Sequence, residues 1–157
     1  MRAVRSMAVA IPLAALALIG CGAKVPPAYP VSGKVTLAGK AHNRLLVYFR
    51  PAEGPPTQYT IAVGETDKDG NLKVQGNAGV GLPEGEYKVT FTCQVVKGDP
   101  AATAKLGPDD KPSELGVTTV EQVPASHAEG KANDTTPVRF VVKRGAENVF
   151  TYDIPAK

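Results

Sequence analysis

The sequence predicts an all-β fold, a single β-sandwich domain, on the strength of three observations. Short runs rich in Val, Tyr, Phe and Thr recur along the chain, bounded by Gly, Pro, Asn and Asp. No window carries a sustained apolar stripe at the 3.6-residue period of a helix. Gly (16) and Pro (14) are scattered without period through 157 residues, which is turn punctuation and not a collagen repeat. With 43% hydrophobic residues the chain can bury one core, but it is short for two domains.

Seven strands are predicted, at Val31 to Leu37, Leu45 to Arg50, Tyr59 to Thr66, Asn71 to Gln75, Glu86 to Val96, Pro137 to Arg144 and Glu147 to Ile154. Alternation along them assigns the core to Val31, Val35, Leu37, Val47, Phe49, Leu72 and Val74. Tyr87, Val89, Phe91 and Cys93 continue it, with Val95 on the same face, and Thr90 is read as pointing outward. Phe140, Val142, Phe150, Tyr152 and Ile154 complete it. The last two strands meet around Arg144, Gly145 and Ala146, where a glycine suits a positive φ, so they are expected to form a hairpin. With no tryptophan, the pin of an antibody-type domain is missing.

The N-terminus has the order of an export signal. Arg2 and Arg5 precede the apolar run Met7 to Ile19, which is too short for a membrane-spanning helix of about 20 residues. Leu18, Ile19, Gly20 and Cys21 resemble a bacterial lipobox, in which a signal peptidase cuts before a cysteine that has received a diacylglycerol. The resemblance implies cleavage after Gly20 and lipid on Cys21. A plain secretory signal and a buried apolar helix are the alternatives. The short, proline-bearing stretch that follows suits a tether. The expected organisation is therefore a signal peptide at 1–20, a tether at 21–30 and a β-sandwich at 31–157, with a long loop at 98–136. A lipidated Cys21 leaves Cys93 without a disulfide partner in the chain, and a free cysteine behaves as a small buried hydrophobe. The formal charge of +3 includes Arg2 and Arg5 and forms no dense basic block, which argues against nucleic acid as a partner.

The stretches "VSGKVTLAGKAHNRLLVYFRP", "TDKDGNLKV" and "LPEGEYKVTF" are similar in order and spacing to the carboxypeptidase regulatory-like, or transthyretin-like, domain. The similarity runs from about Pro30 to Thr92, and the whole resembles small bacterial lipoproteins built on that domain. It implies an Ig-like or transthyretin-like sandwich. Because such domains in carboxypeptidases lack the zinc ligands, it also implies a non-catalytic module.

The residue chemistry gives the same expectation. In "DKDGN", Asp67 to Asn71, oxygen side chains surround a glycine, but an EF-hand would need Glu at the twelfth position, where Ala78 stands. A hairpin turn explains the stretch better. His42 and His127 lie outside any metal-ligand spacing and are expected to be solvated loop residues. Ser126 and His127 are adjacent, with Glu129 close by. Neighbours in sequence rarely form a working relay, and the motifs G-x-S-x-G and S-x-x-K do not occur. The pairs Glu84 with Glu86 and Asp109 with Asp110 are read as solvated carboxylates. No catalytic residue, metal ligand or cofactor is assigned. Within the long loop, "GVTTVEQVP" can add an edge strand or pack across the domain.

Two functional classes follow. The first is a non-catalytic, lipid-anchored envelope module that binds a protein or a cell-envelope component such as a polysaccharide. The second is an envelope enzyme, or a metal- or glycan-binding protein, with a site assembled from scattered residues. A thin aromatic supply, Trp 0 and Tyr 5, favours a protein partner over a glycan.

Overall fold

A computed structural model describes residues 25–98 and 116–157, so the expected signal peptide at 1–20, Cys21 and the next three residues of the expected tether lie outside the described residues. The described chain is all-β and its sheets are curled. Twelve strands occur where seven were expected: β1 (Ala28–Tyr29), β2 (Val31–Leu37), β3 (Leu46–Pro51), β4 (Ala62–Thr66), β5 (Leu72–Gly76), β6 (Gly79–Val80), β7 (Leu82–Pro83), β8 (Gly85–Thr92), β9 (Gln94–Val96), β10 (Thr119–Glu121), β11 (Arg139–Val142) and β12 (Asn148–Ile154). Six of them form a sheet in the order β11-β8-β3-β4-β5-β6, and β12 pairs with β2 in parallel along its whole length. Two short ribbons, β1 with β7 and β9 with β10, complete the pairing.

The β2–β12 ribbon lies over one face of the six-stranded sheet, and aromatic rings join the two. Phe150 of β12 meets Phe49 at 5.6 Å, Phe140 at 5.2 Å and Phe91 at 6.4 Å between centroids. The ribbon also reaches the β4–β5 turn, where Val35 N–H donates to Gly70 O at 2.9 Å and Lys34 bridges Asn71. Gly33 permits the close approach inside the ribbon, because a Cβ there would stand 1.8 Å from Phe150 O.

Most of the expected core is buried, from Val31, Val35 and Leu37 through Phe49 and Phe91 to Ile154, while Phe140 and Tyr152 are half-buried against it. The core also takes in Leu45 and Val138, each just outside its strand but in phase with the expected inward residues, and Leu82, Val123 and Ala128, which lie in a two-residue strand or outside strands, where alternation has no length to act on.

Four expectations are corrected. The strand predicted from Tyr59 starts only at Ala62, since Thr57 and Thr60 fold the preceding residues into a turn: Thr57 N–H donates to Thr60 Oγ1 at 2.8 Å and Ile61 N–H to Thr57 O at 3.2 Å. The strand predicted from Glu86 to Val96 breaks at Cys93, and the phase slips by one residue, so that Val96 is buried and Val95 only half so. Glu121 holds the break, accepting from Cys93 N–H at 2.9 Å and Val123 N–H at 2.8 Å. The last two strands do not form a hairpin. Gly145 has the expected positive φ of 71°, but β11 pairs with β8 and β12 with β2, so the turn carries the chain from one sheet to the other. Asn148 fixes that crossing, its Oδ1 accepting from Lys143 N–H at 2.9 Å and its Nδ2 donating to Ala146 O at 3.3 Å.

The fourth correction concerns the long loop. Residues 99–115 lie outside the described residues, but Gly116 onward is built into the fold. β10 pairs antiparallel with β9, and the chain then runs along the edge of β8. Phe91 N–H donates to His127 O at 2.9 Å, Glu129 N–H to Phe91 O at 2.8 Å, and Thr136 Oγ1 to Val89 O at 2.7 Å. Val123, Ala128, Ala132 and Thr136 are buried there.

Two outcomes follow. Phe91→Ala is expected to cost about 3 to 5 kcal/mol in chemical denaturation, for the cavity left among Phe150, Tyr152 and the covering segment. Thr90→Ala is expected to cost about 1 to 2 kcal/mol and not to be silent, because Thr90 is buried and its hydroxyl donates to Glu129. Deleting Ala104 to Ala132 is expected to abolish cooperative unfolding, since it removes β10 and part of the buried cover; a deleted protein that melts like the parent would contradict this packing.

Candidate functional site

The covering segment from Val123 to Thr136 gathers the polar chemistry of the described chain. A tight turn at Pro124 starts it, with His127 N–H and Ala128 N–H both donating to Pro124 O, at 2.9 and 3.0 Å. A parallel bridge between Ala128 and Phe91 pins the segment to β8. Ala128 lies between two turns, and there His127 meets Tyr152 whereas Glu129 meets Arg50 and Thr90 on the other face of the sheet.

His127 goes to the core side. It is buried, with Nδ1 at 2.9 Å from Ser126 Oγ and Nε2 at 2.9 Å from the Tyr152 hydroxyl. The Tyr152 ring stacks on Phe91, with centroids 5.5 Å apart and planes 8° from parallel. Burial lowers the His127 pKa below its ordinary 6.5, which favours the neutral imidazole. Burial, and then the negative charge of Asp153, raise that of Tyr152. A neutral imidazole has one donor and one acceptor nitrogen, and the two hydroxyls can serve either tautomer. Ser126 itself is exposed.

Glu129 goes to the outer side, away from Ser126 and His127. Its carboxylate forms a bidentate ion pair with Arg50, with Arg50 Nη1 to Oε2 at 3.2 Å, and it accepts from the Thr90 hydroxyl. Asn133 Nδ2 adds a longer contact at 3.4 Å. The Arg50 side chain is 29% exposed and that of Glu129 19%, so solvent screens the pair only in part. Arg50 also lies 6.0 Å from the centre of the Tyr48 ring. Burial raises the Tyr48 pKa, as does the Glu129 charge.

Three residues within four positions of sequence, Ser126, His127 and Glu129, are thus divided between two clusters. Ser126 and His127 do meet, with Tyr152 as a third member more than twenty residues away, and Glu129 joins Arg50 and Thr90. The expectation that His127 is solvated is overturned, because the turn at Pro124 aims it inward. His42 is half-buried, and burial followed by the charge of Lys40 lowers its pKa. Tyr152 and Thr90 could have been found from strand alternation only had the partner segment been placed on β8.

The remaining sequence candidates have structural roles. Asp67 caps the β4–β5 turn, its Oδ1 accepting from the N–H groups of Asp69 and Asn71, each at 2.9 Å. Its pKa is lowered chiefly by the hydrogen bonds from Asn71. Glu84 and Glu86 are exposed, with Glu86 3.9 Å from Arg139, and Asp109 and Asp110 lie outside the described residues. Cys93 is buried and free, its thiol pushed up to about 11 by burial and the Glu121 charge, so it has little thiolate character.

Both depressed histidines set a sign for the pH dependence of stability. Each stays neutral in the fold at a pH where the unfolded chain binds a proton, so stability is full above about pH 6.5 and falls as pH drops below it. Urea midpoints are expected to be lower near pH 5 than near pH 7.5, and the drop is expected to shrink in His127→Gln. An equal drop in the variant would remove His127 from the account. Asp67 and Asp153, whose pKa values are lowered by hydrogen bonds, add a further loss only below the ordinary carboxylate value of 3.8.

Comparison with protein-family models, curated proteins and solved structures finds no significant match to this chain, so its function is argued from the residues and geometry above.

Proposed function

We propose that the chain is an exported, lipid-anchored envelope module, a β-sandwich of the transthyretin-like type that binds a protein or another cell-envelope component and performs no turnover of its own. The observation that carries this reading is the lipobox-like sequence Leu18, Ile19, Gly20 and Cys21 standing shortly before the first strand. β1 begins at Ala28, inside the stretch 21–30 read as a tether. At full extension Cys21 and Ala28 lie roughly 25 Å apart, which would hold the folded domain close to the membrane surface. The all-β architecture and the ribbon of first and last long strands over a larger sheet support the sandwich assignment. The polar side chains in the covering segment largely satisfy one another and fasten it to β3, β8 and β12, which supports a binding scaffold.

Mass spectrometry of the mature N-terminus tests the anchor. Cys21 is expected to be the first residue and to carry a diacylglycerol, and Cys21→Ser is expected to leave an uncleaved precursor. Each buried methylene contributes about 0.8 kcal/mol of membrane affinity, so a multiply acylated chain is effectively permanent on the bilayer. An unmodified Cys21, or cleavage at another bond, would overturn the lipoprotein reading. Chemical cross-linking on intact cells tests the binding half, for which a discrete adduct with one envelope component is expected.

A further inference from the structure

The Ser126–His127–Tyr152 chain is more ordered than fastening the segment requires. The backbone of His127 is held at both groups, N–H to Pro124 O and O to Phe91 N–H, each at 2.9 Å, and its ring is held at both nitrogens. Its Nε2 is fixed by a hydroxyl on a ring that stacks on both Phe91 and Phe150, at 5.5 and 6.3 Å. The other nitrogen, Nδ1, points at the hydroxyl of an exposed serine 2.9 Å away. A buried base directed at a solvent-facing nucleophile is the pairing that activates a hydroxyl for covalent chemistry.

We propose that Ser126 is a covalent acylation site, whose Oγ takes the acyl group of a small activated carboxylic ester with His127 as the base. Oγ attacks the ester carbonyl carbon as the hydroxyl proton passes to Nδ1, and the carbonyl π electrons move onto oxygen. The carbonyl re-forms, the bond from its carbon to the leaving oxygen breaks, and that oxygen takes the proton back from Nδ1. The sum is ester plus serine giving acyl-serine plus alcohol, with no other reactant. The tautomer that reacts carries its proton on Nε2 and donates it to the Tyr152 hydroxyl throughout, so Tyr152 is a positioning residue that holds the ring. The amides that follow Ser126 are already engaged: His127 N–H and Ala128 N–H on Pro124 O at 2.9 and 3.0 Å, Glu129 N–H on Phe91 O at 2.8 Å and Gly130 N–H on Asn133 Oδ1 at 2.8 Å. With none of these free to stabilise an oxyanion, only an ester with a good leaving group acylates the serine, and the acyl-serine, an ordinary alkyl ester, is a lasting product, so the site is modified once per chain. This chemistry is compatible with a binding module and does not depend on the anchor at Cys21.

The folded protein treated with 4-nitrophenyl acetate, digested and read by mass spectrometry, tests the proposal. An acetyl group is expected on Ser126 in the native protein. In Ser126→Ala the acetyl should vanish from that peptide, and in His127→Gln its rate of formation should fall by about 100-fold, the scale of general-base assistance. The wild-type protein in urea gives a control that needs no variant, since there Ser126 should be no more reactive than any other serine. Acetylation confined to lysines, or Ser126 labelled equally fast folded and unfolded, would overturn the proposal.

Discussion

Phe150 is the point on which the two layers meet. It is almost fully buried on β12 and lies within 6.4 Å of Phe49, Phe91 and Phe140, one ring from each of three strands in the larger sheet. Aromatic pairs of this kind contribute about 0.5 to 1.5 kcal/mol each beyond the area they bury. Phe150 can take that position only because its own backbone is paired against Gly33, where a side chain would collide with its carbonyl oxygen. One glycine on β2 thus sets how closely β12 approaches β2, and one phenylalanine on β12 sets how the ribbon seats on the sheet.

The strands themselves were legible because alternation is local. β2 has the bounds that alternation predicts, Val31–Leu37, and the inward residues of β3, β5 and β8 follow from period two alone. The turn at Asp67 to Asn71 was equally legible, since Asp, Gly and Asn serve their own backbone. What alternation cannot supply is which strand neighbours which. Gly145 marked a turn correctly, but whether it closes a hairpin or bridges two sheets is decided by Asn148, which bonds back to Lys143 and Ala146. His127 looked like a loop residue because the partner that buries it, Tyr152, lies in another strand. Glu129 stands close to Ser126 in sequence, but sequence distance does not record the turn that separates them.

Long-range polar contacts do much of the fastening that helices or further strands would otherwise do. Glu121 bridges the break between β8 and β9, Thr136 bonds to Val89 O, and Thr66 accepts from Leu45 N–H at 3.1 Å while donating to His42 O at 2.6 Å. Among the described residues no buried side-chain polar atom lacks a partner. Lost hydrogen bonds inside a fold cost more than made ones contribute, so such a set gives the irregular cover a single arrangement and penalises the alternatives.

The parallel pairing of β2 and β12 has a mechanical consequence. The chain enters β2 at Val31 and leaves β12 at Ile154, and the two strands run in the same direction in register over seven residues. Tension applied to the two ends of the domain therefore acts along the strands in opposite directions, as shear. The rungs of the ladder then share the load together, whereas an antiparallel hairpin pulled at its open end would peel one rung at a time. A domain held at its N-terminal side and pulled through its C-terminal side meets the force with its longest continuous set of backbone bonds.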